Sequence, residues 1–221
     1  MSSLALSWSG GKDSALALWM LREEENANPA ALISTITEGF GRVSMHGVRR
    51  SLLRRQAAAT GLPLVEIDIP QGCTNDEYES RMEAAFASGE LAAVGEVAFG
   101  DLFLEDVRAY RESRLALAGR RARFPVWGRD TAALARRFIA VGFRAVLACV
   151  DPRALDPSFA GRDYDERLLE DLPEGVDPCG ENGEFHTFVT AGPIFERAIA
   201  CRRGEVVERD GFVFCDLLDE E

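Results

Sequence analysis

The sequence predicts an α/β protein: a parallel sheet wound with helices, followed by a smaller α+β domain. Short apolar runs alternate with helix-period segments on a repeat of roughly 30 residues, a pattern that calls for parallel strands and right-handed crossovers. Past Asp151 the chain turns rich in Pro, Gly and Asp and ends on a hairpin pattern, which suits loops and antiparallel strands. The texture changes at Phe124-Pro125-Val126-Trp127-Gly128-Arg129-Asp130, so residues 1–124 are expected to form the first domain and 125–221 the second.

Leu4-Ala5-Leu6 reads as the first strand and Ala15 to Leu21 as an apolar helix that begins near Asp13 or Ser14. Ala31 to Thr37 is a second strand. Val48 to Ala59 is a helix with Val48, Leu52, Leu53 and Gln56-Ala57 on one face. A third strand, Leu64 to Ile69, ends at Pro70 and Gly72, and a helix follows from Asn75 to Ala87. Val94 to Phe99 is the fourth strand, with a helix from Glu105 to Leu117. Asp130 or Thr131 can cap a helix from Ala132 to Val141, and Arg144 to Val150 supplies another strand. From Glu184 the side chains alternate as in a strand, and Glu205–Arg209 and Phe212–Cys215 flank an Asp210-Gly211 turn.

The first strand and helix are joined by Ser7-Trp8-Ser9-Gly10-Gly11-Lys12-Asp13-Ser14. Adjacent glycines let the backbone turn its N–H groups inward, and the helix start adds unpaired donors and a positive dipole end, so the loop is suited to phosphate. Ser9 and Ser14 add hydroxyls and Lys12 a mobile charge. Asp13 is expected either to cap the helix or to reach magnesium through water. The spacing is neither that of a Walker A loop nor G-x-G-x-x-G. Lys12 is the only lysine in the chain. A composition that otherwise uses arginine has kept one compact ammonium in the loop where it differs most from a planar fork.

The charge balance limits the partners. A net charge of -12 disfavours a nucleic-acid surface, although Arg49-Arg50, Arg54-Arg55 and Arg120-Arg121 allow a local basic patch. No run approaches the length of a membrane span and no signal-peptide pattern opens the chain, so a cytoplasmic protein is expected. Cys73, Cys149, Cys179, Cys201 and Cys215 are odd in number and free of C-x-x-C, which suits reduced, mostly buried thiols.

Three further segments carry polar groups. His46 follows the second strand and so falls on the edge where parallel sheets bind ligands; alone it reads equally as a satisfied loop histidine. Gly100 permits close backbone approach, and Asp101 can bind magnesium, orient an amine, or simply cap the next helix. In Asp177 to Val189, Glu184 and His186 would project from one strand face with Glu181 and Asn182 on the preceding turn. Acid, amide and imidazole together suit a polar substrate or proton transfer with ammonia, the alternative being a solvated strand face.

Ser9 to Ser14 resembles the SGGKDS signature of the PP-loop ATP pyrophosphatases. With Met45-His46-Gly47, Phe99-Gly100-Asp101, Leu104 to Arg108, Trp127 to Thr131, Gly161-Arg162 and Asp177 to Val189, the chain resembles over nearly its whole length the ATP-binding family that includes the diphthine ammonia ligases. The resemblance implies a PP-loop domain of the adenine nucleotide alpha hydrolase-like (HUP) type with a C-terminal substrate-binding domain. It implies ATP and magnesium as cofactors and an AMP-forming amide ligation: a carboxylate attacks the α phosphate, pyrophosphate leaves, and ammonia displaces AMP. Carried onto this chain, Ser9, Gly10, Gly11, Lys12, Asp13 and Ser14 would bind ATP, and Lys12, Asp101, Glu184 and His186 would serve catalysis. His46, Gly100, Arg129, Glu181 and Asn182 would bind substrate. The expected partners are a small-molecule or protein-borne carboxylate and ammonium, with no membrane; a homodimer is left open.

The chain departs from the diphthamide enzymes at His186, where they carry an acidic residue. It resembles instead a bacterial-type branch with Glu-Asn-Gly-Glu-Phe-His-Thr that has been linked to corrinoid salvage. Two other readings stand beside the ligase: a tRNA-modifying PP-loop enzyme, which would want a reactive cysteine pair and a basic surface, and an ATP-binding regulatory module without turnover. The general base and the reactivity of Cys179 are open at this level.

Overall fold

A computed structural model describes residues 3–39, 41–43, 47–87 and 89–220. β1 (Ser3–Ser7), α1 (Lys12–Glu23), β2 (Ala31–Thr37), β3 (Arg42–Val43) and α2 (Arg50–Thr60) open the chain. They are followed by β4 (Leu64–Ile69), α3 (Asn75–Phe86), β5 (Val94–Ala98), α4 (Glu105–Leu117) and β6 (Arg121–Arg123). Five strands run parallel in the order β4-β2-β1-β5-β6, and β3 pairs antiparallel with the far end of β2. The order reverses between β1 and β5, the switch point at which open α/β sheets bind ligands.

The second half contains α5 (Thr131–Ala140), β7 (Arg144–Val150), α6 (Glu166–Asp171), β8 (Phe185–Ala191), β9 (Cys201–Arg209) and β10 (Phe212–Asp219). Its strands form a separate antiparallel sheet, β8-β7-β10-β9. The α/β fold with a smaller second domain is therefore as expected.

Local chemistry explains most element ends. Thr74 and Glu77 form a capping box at α3, Asp130 caps α5 by accepting from Ala133 N, and Gly61 closes α2 in the left-handed region. The β9–β10 hairpin turns on Asp210 and Gly211, both at positive φ as a two-residue turn requires. Its strands are longer than the apolar pattern suggests because pairing continues through Arg202 and Leu218. β3, β6 and α6, of two, three and six residues, were not anticipated: each is too short to show a period, and β6 is the polar run Arg-Ala-Arg held by β5.

The sheet's two faces have different cover. Ala5, Ile33, Val97 and Phe99 pack under α3 and α4, whereas Leu4, Leu6, Leu32 and Ala98 join a larger core with α1, α2 and the second sheet. α1 is buried at Ala15, Leu16, Ala17, Leu18, Met20 and Leu21, nearly all round. Such a helix needs cover on its outer side too. β8 supplies it: Val189 N donates to Gly10 O at 3.0 Å, and Lys12 N donates to Thr187 Oγ1 at 3.0 Å.

Gln56, which the sequence pattern puts on the apolar face of α2, is fully buried and joins the same junction. Its amide nitrogen donates to Gly10 O at 3.0 Å and to Val189 O at 2.6 Å. Gln56→Leu should leave a buried carbonyl unpaired and lower stability by ~1–3 kcal/mol. Urea unfolding checks this, and an unchanged midpoint would show that the bridge carries no stability.

Candidate active site

The loop after β1 is built as a tight turn into α1. Gly10 sits at φ 78°, and a Cβ there would lie 2.5 Å from Gln56 Oε1, so both conformation and space demand glycine. Gly11 N donates to Ser9 Oγ at 3.2 Å, Ser14 Oγ donates to Gly11 O at 3.0 Å, and the two serine hydroxyls meet at 3.3 Å. The helix begins at Lys12 with Gly11 as its cap residue, so Asp13 is not the cap.

Lys12 is only 3% exposed. Its Nζ holds both oxygens of Asp13 at 2.7 and 2.8 Å and lies 5.9 Å from the ring centres of Tyr164 and Phe185. Burial works against the ammonium, but Asp13, Cys179 and Glu181 outweigh it and hold its pKa above the usual lysine range. Both Asp13 oxygens are thus engaged by Lys12, and a magnesium contact through Asp13 needs that pair to open. Among the described residues no three His, Cys, Asp or Glu side chains form a group that could hold a metal. Magnesium commonly takes one or two carboxylates plus substrate phosphates, so it would be held chiefly by the nucleotide.

The polar segment before β8 is arranged differently from a simple strand face. Glu184 is 5% exposed and precedes the strand. Its carboxylate accepts from Asp177 N, Asn182 N and Asn182 Nδ2, each at 3.0 Å. Glu184 therefore ties the turn together through its carboxylate. Asn182 is exposed, and its amide serves Glu184. Both faces of β8 are covered, Phe185, Thr187, Phe188 and Val189 all being buried, because the strand lies between its own sheet and the loop after β1.

Glu181 is the acid that reaches the loop. Its Oε1 accepts from Leu102 N at 2.7 Å. Burial, helped by the nearby Asp13 and Asp101 charges and opposed by the Leu102 N–H, pushes its pKa up to about 7. His186 moves the other way: burial, with Lys12 second, lowers it to about 4, so it is neutral at physiological pH.

Gly100 brings the β5–α4 connection against α1, since a Cβ there would lie 2.8–2.9 Å from the Asp13 and Ser14 backbone. Asp101 is gripped by Arg111, with Nε at 2.6 Å and Nη2 at 3.1 Å. Its carboxylate thus forms an ion pair and caps nothing, α4 having Leu104 at its cap. Beside this pair a cavity of about 330 Å³ opens at the carboxyl ends of β1 and β5, lined by Trp8, Ser9, Ser34, Thr35, Phe99 and Arg111 among others. Its size and mostly apolar wall with a few polar groups fit a nucleoside whose phosphates reach the Ser9–Ser14 loop.

Other expected residues lie elsewhere. Arg129 pairs with Glu24 at 3.0 Å beyond the far end of α1, roughly 18 Å along the helix from Lys12. It is not at the site. His46 lies outside the described residues. Cys179 is buried, its Sγ donating to Thr131 O at 3.3 Å, and burial raises its pKa to about 12, so it is held as a thiol. All five cysteines are free, as expected. Thr187, Tyr164, Gln56 and Arg111 border the site and were not anticipated. The only signal was Gln56, a polar residue at a core position, whereas the others become neighbours through tertiary packing.

A parallel sheet with a Gly-rich phosphate loop at its switch point defines a nucleotide-binding protein of the PP-loop type. The chain belongs to the diphthamide synthase family: residues 1–119 match the diphthamide synthase N-terminal domain and residues 130–216 its C-terminal domain. It is similar to the diphthine–ammonia ligase of Mus musculus, 26% identical over 227 residues that cover 93% of this chain and 85% of that protein. To the Danio rerio protein of the same name it is 29% identical, over 90% of this chain and 86% of the other. A solved structure titled a predicted subunit of a tRNA methyltransferase from Methanocaldococcus jannaschii aligns over 90% of this chain with 15% identity and a TM-score of 0.41. No helix among the described residues is long and apolar enough to cross a membrane.

The lowered His186 pKa has a consequence for stability. Between pH 6.5 and 4 the unfolded chain binds the imidazole proton that the folded protein refuses, so stability falls as pH drops through that window. The loss should reach at most about 3–4 kcal/mol. His186→Gln should flatten the dependence of melting temperature on pH across this range, and equal slopes would show that His186 is not held neutral.

Proposed function

We propose that the protein is an ATP-dependent amide ligase of the diphthine–ammonia ligase type, which adenylates a substrate carboxylate with release of pyrophosphate and transfers the acyl group to ammonia. The observation that carries this reading is the loop after β1, whose Ser9 borders the cavity of about 330 Å³ and whose buried Lys12 lies close to Glu181, an acid that burial pushes up to about 7. The two relatives above are named for the same reaction class, which supports it.

ATP, when bound, supplies the electrophilic α phosphate and pyrophosphate as the leaving group. Ser9, and Ser14 on turning its hydroxyl away from Gly11 O, are the side-chain donors for its phosphates, beside the positive end of α1. Lys12 can follow the developing charge by exchanging Asp13 for phosphate, a movement its flexible chain permits. Glu181 is the base we assign. A carboxylate with pKa about 7 is half ionised at neutral pH and suited to taking a proton from ammonium or from the attacking nitrogen. His186, neutral beside Phe185, would meet the substrate as a hydrogen-bonding group without charge, so it favours a different substrate from a site that carries a carboxylate there.

The tRNA-thiolation reading requires a thiolate, and both Cys149 and Cys179 are pushed up to about 12 by burial. The deciding test is product analysis with α-labelled ATP, magnesium and ammonium, with and without candidate carboxylates. AMP with pyrophosphate is expected; ADP would overturn the assignment, and tight ATP binding without product would favour a regulatory module. Lys12→Met should reduce AMP formation by about 10²–10³-fold; because it leaves Asp13 without its partner, melting of the variant is compared with wild type to separate lost chemistry from lost fold. Glu181→Gln should abolish the acid limb near pH 7 in the rate profile, and a limb that persists would assign the base elsewhere.

A further inference from the structure

The segment Gly100–Leu102 is fastened at each residue to a different part of the molecule. Gly100 leans on the first turn of α1, with no room for a Cβ. Asp101 is held by Arg111 of α4 through one hydrogen bond, Nη2 to Oδ1 at 3.1 Å, and an ion-pair contact of 2.6 Å between Nε and Oδ2 that is not aligned as a hydrogen bond. Leu102 is fully buried, its N–H donates to Glu181 Oε1 at 2.7 Å, and its carbonyl accepts from Gly128 N at 2.8 Å. Arg111 lies over Phe99, its guanidinium carbon 4.3 Å from the ring centre, and both residues line the cavity at the switch point. One end of this chain of contacts is therefore a wall of the nucleotide cavity and the other is the acid of the second domain.

We propose that Arg111 is a positioning residue that ties the nucleotide cavity to Glu181 through the Gly100–Leu102 segment. The inference rests on the ligase reading of the site. Nε and Nη2 both face Asp101, so Arg111 acts by fixing that carboxylate and, with it, the peptide whose N–H orients Glu181. A segment fastened at three consecutive residues moves as one piece, and displacement of the guanidinium is passed on to the Leu102 N–H. Glu181 is faced by Lys12 and Asp13 of α1, by Asp101, and by Asp177 and Cys179 of its own loop. Loss of Arg111 would leave the Asp101 charge uncompensated beside it.

The test compares wild type with Arg111→Gln, Asp101→Asn, the double variant and Arg111→Lys, the last preserving charge should the glutamine variant fold poorly. Three quantities are read: kcat for AMP formation, Kd for ATP, and amide hydrogen exchange at Leu102. Arg111→Gln should lower kcat by at least about tenfold and weaken ATP binding by a smaller factor, since Arg111 also borders the cavity. Leu102 exchange should accelerate by about tenfold or more. The double variant should be no slower than the slower single one, because the pair acts as one unit, and Arg111→Lys should lie between. A tenfold loss of ATP affinity with kcat unchanged would make Arg111 a direct nucleotide ligand and overturn the proposal. If the wild-type protein forms no AMP, the ligase reading fails, yet exchange still decides the linkage: faster exchange in Arg111→Gln supports it and unchanged exchange overturns it.

Discussion

The carbonyl of Gly10 is the joint on which the molecule turns. It accepts from the Val189 N–H of the second sheet and from the Gln56 amide of α2, so the phosphate loop is held by both halves of the chain at one atom. A buried carbonyl must be paired, and here its pairing also sets where β8 lies. β8 in turn covers the outer side of α1, a helix too apolar to face water there, and brings Thr187 to the Lys12 N–H. Loop, helix and second domain are thus mutually dependent.

The electrostatics follow from that closure. Lys12 is buried and Asp13, Glu181 and His186 are partly buried near it, where charge is costly unless compensated. Lys12 is compensated by Asp13 and stays charged; Glu181, among other acids, titrates near neutrality; His186, near the ammonium, remains neutral. Three groups of ordinary chemistry thus acquire distinct protonation states from one burial. That separation is what acid–base chemistry in a single site requires. The Arg111–Asp101 pair extends the arrangement to the other face of the sheet, beneath α4.

The repeat of strand and helix, the phosphate loop and its single lysine were legible in the sequence because they depend on local properties: apolar period, glycine conformation and capping chemistry. The strands Ala31–Thr37, Leu64–Ile69 and Arg144–Val150 have the ends that their composition suggests. The site was only half legible. Glu184 and His186 alternate on paper, but Glu184 lies before the strand and its carboxylate closes the turn around Asp177 and Asn182. Arg129 stands in a polar stretch that resembles a site, yet Glu24, more than 100 residues earlier, draws it to the opposite end of α1.

What the sequence determined by itself was the fold class, the position of the nucleotide loop and the family, since each is written in residues close together along the chain. What only the tertiary structure decided was the partner of every charge. Whether Asp101 meets a metal or an arginine, whether Glu181 is ionised, and whether Gln56 is core filler or the bridge between two carbonyls all depend on groups far apart in the chain. Their energies arise from burial and distance, and neither exists until the second sheet closes over the first helix.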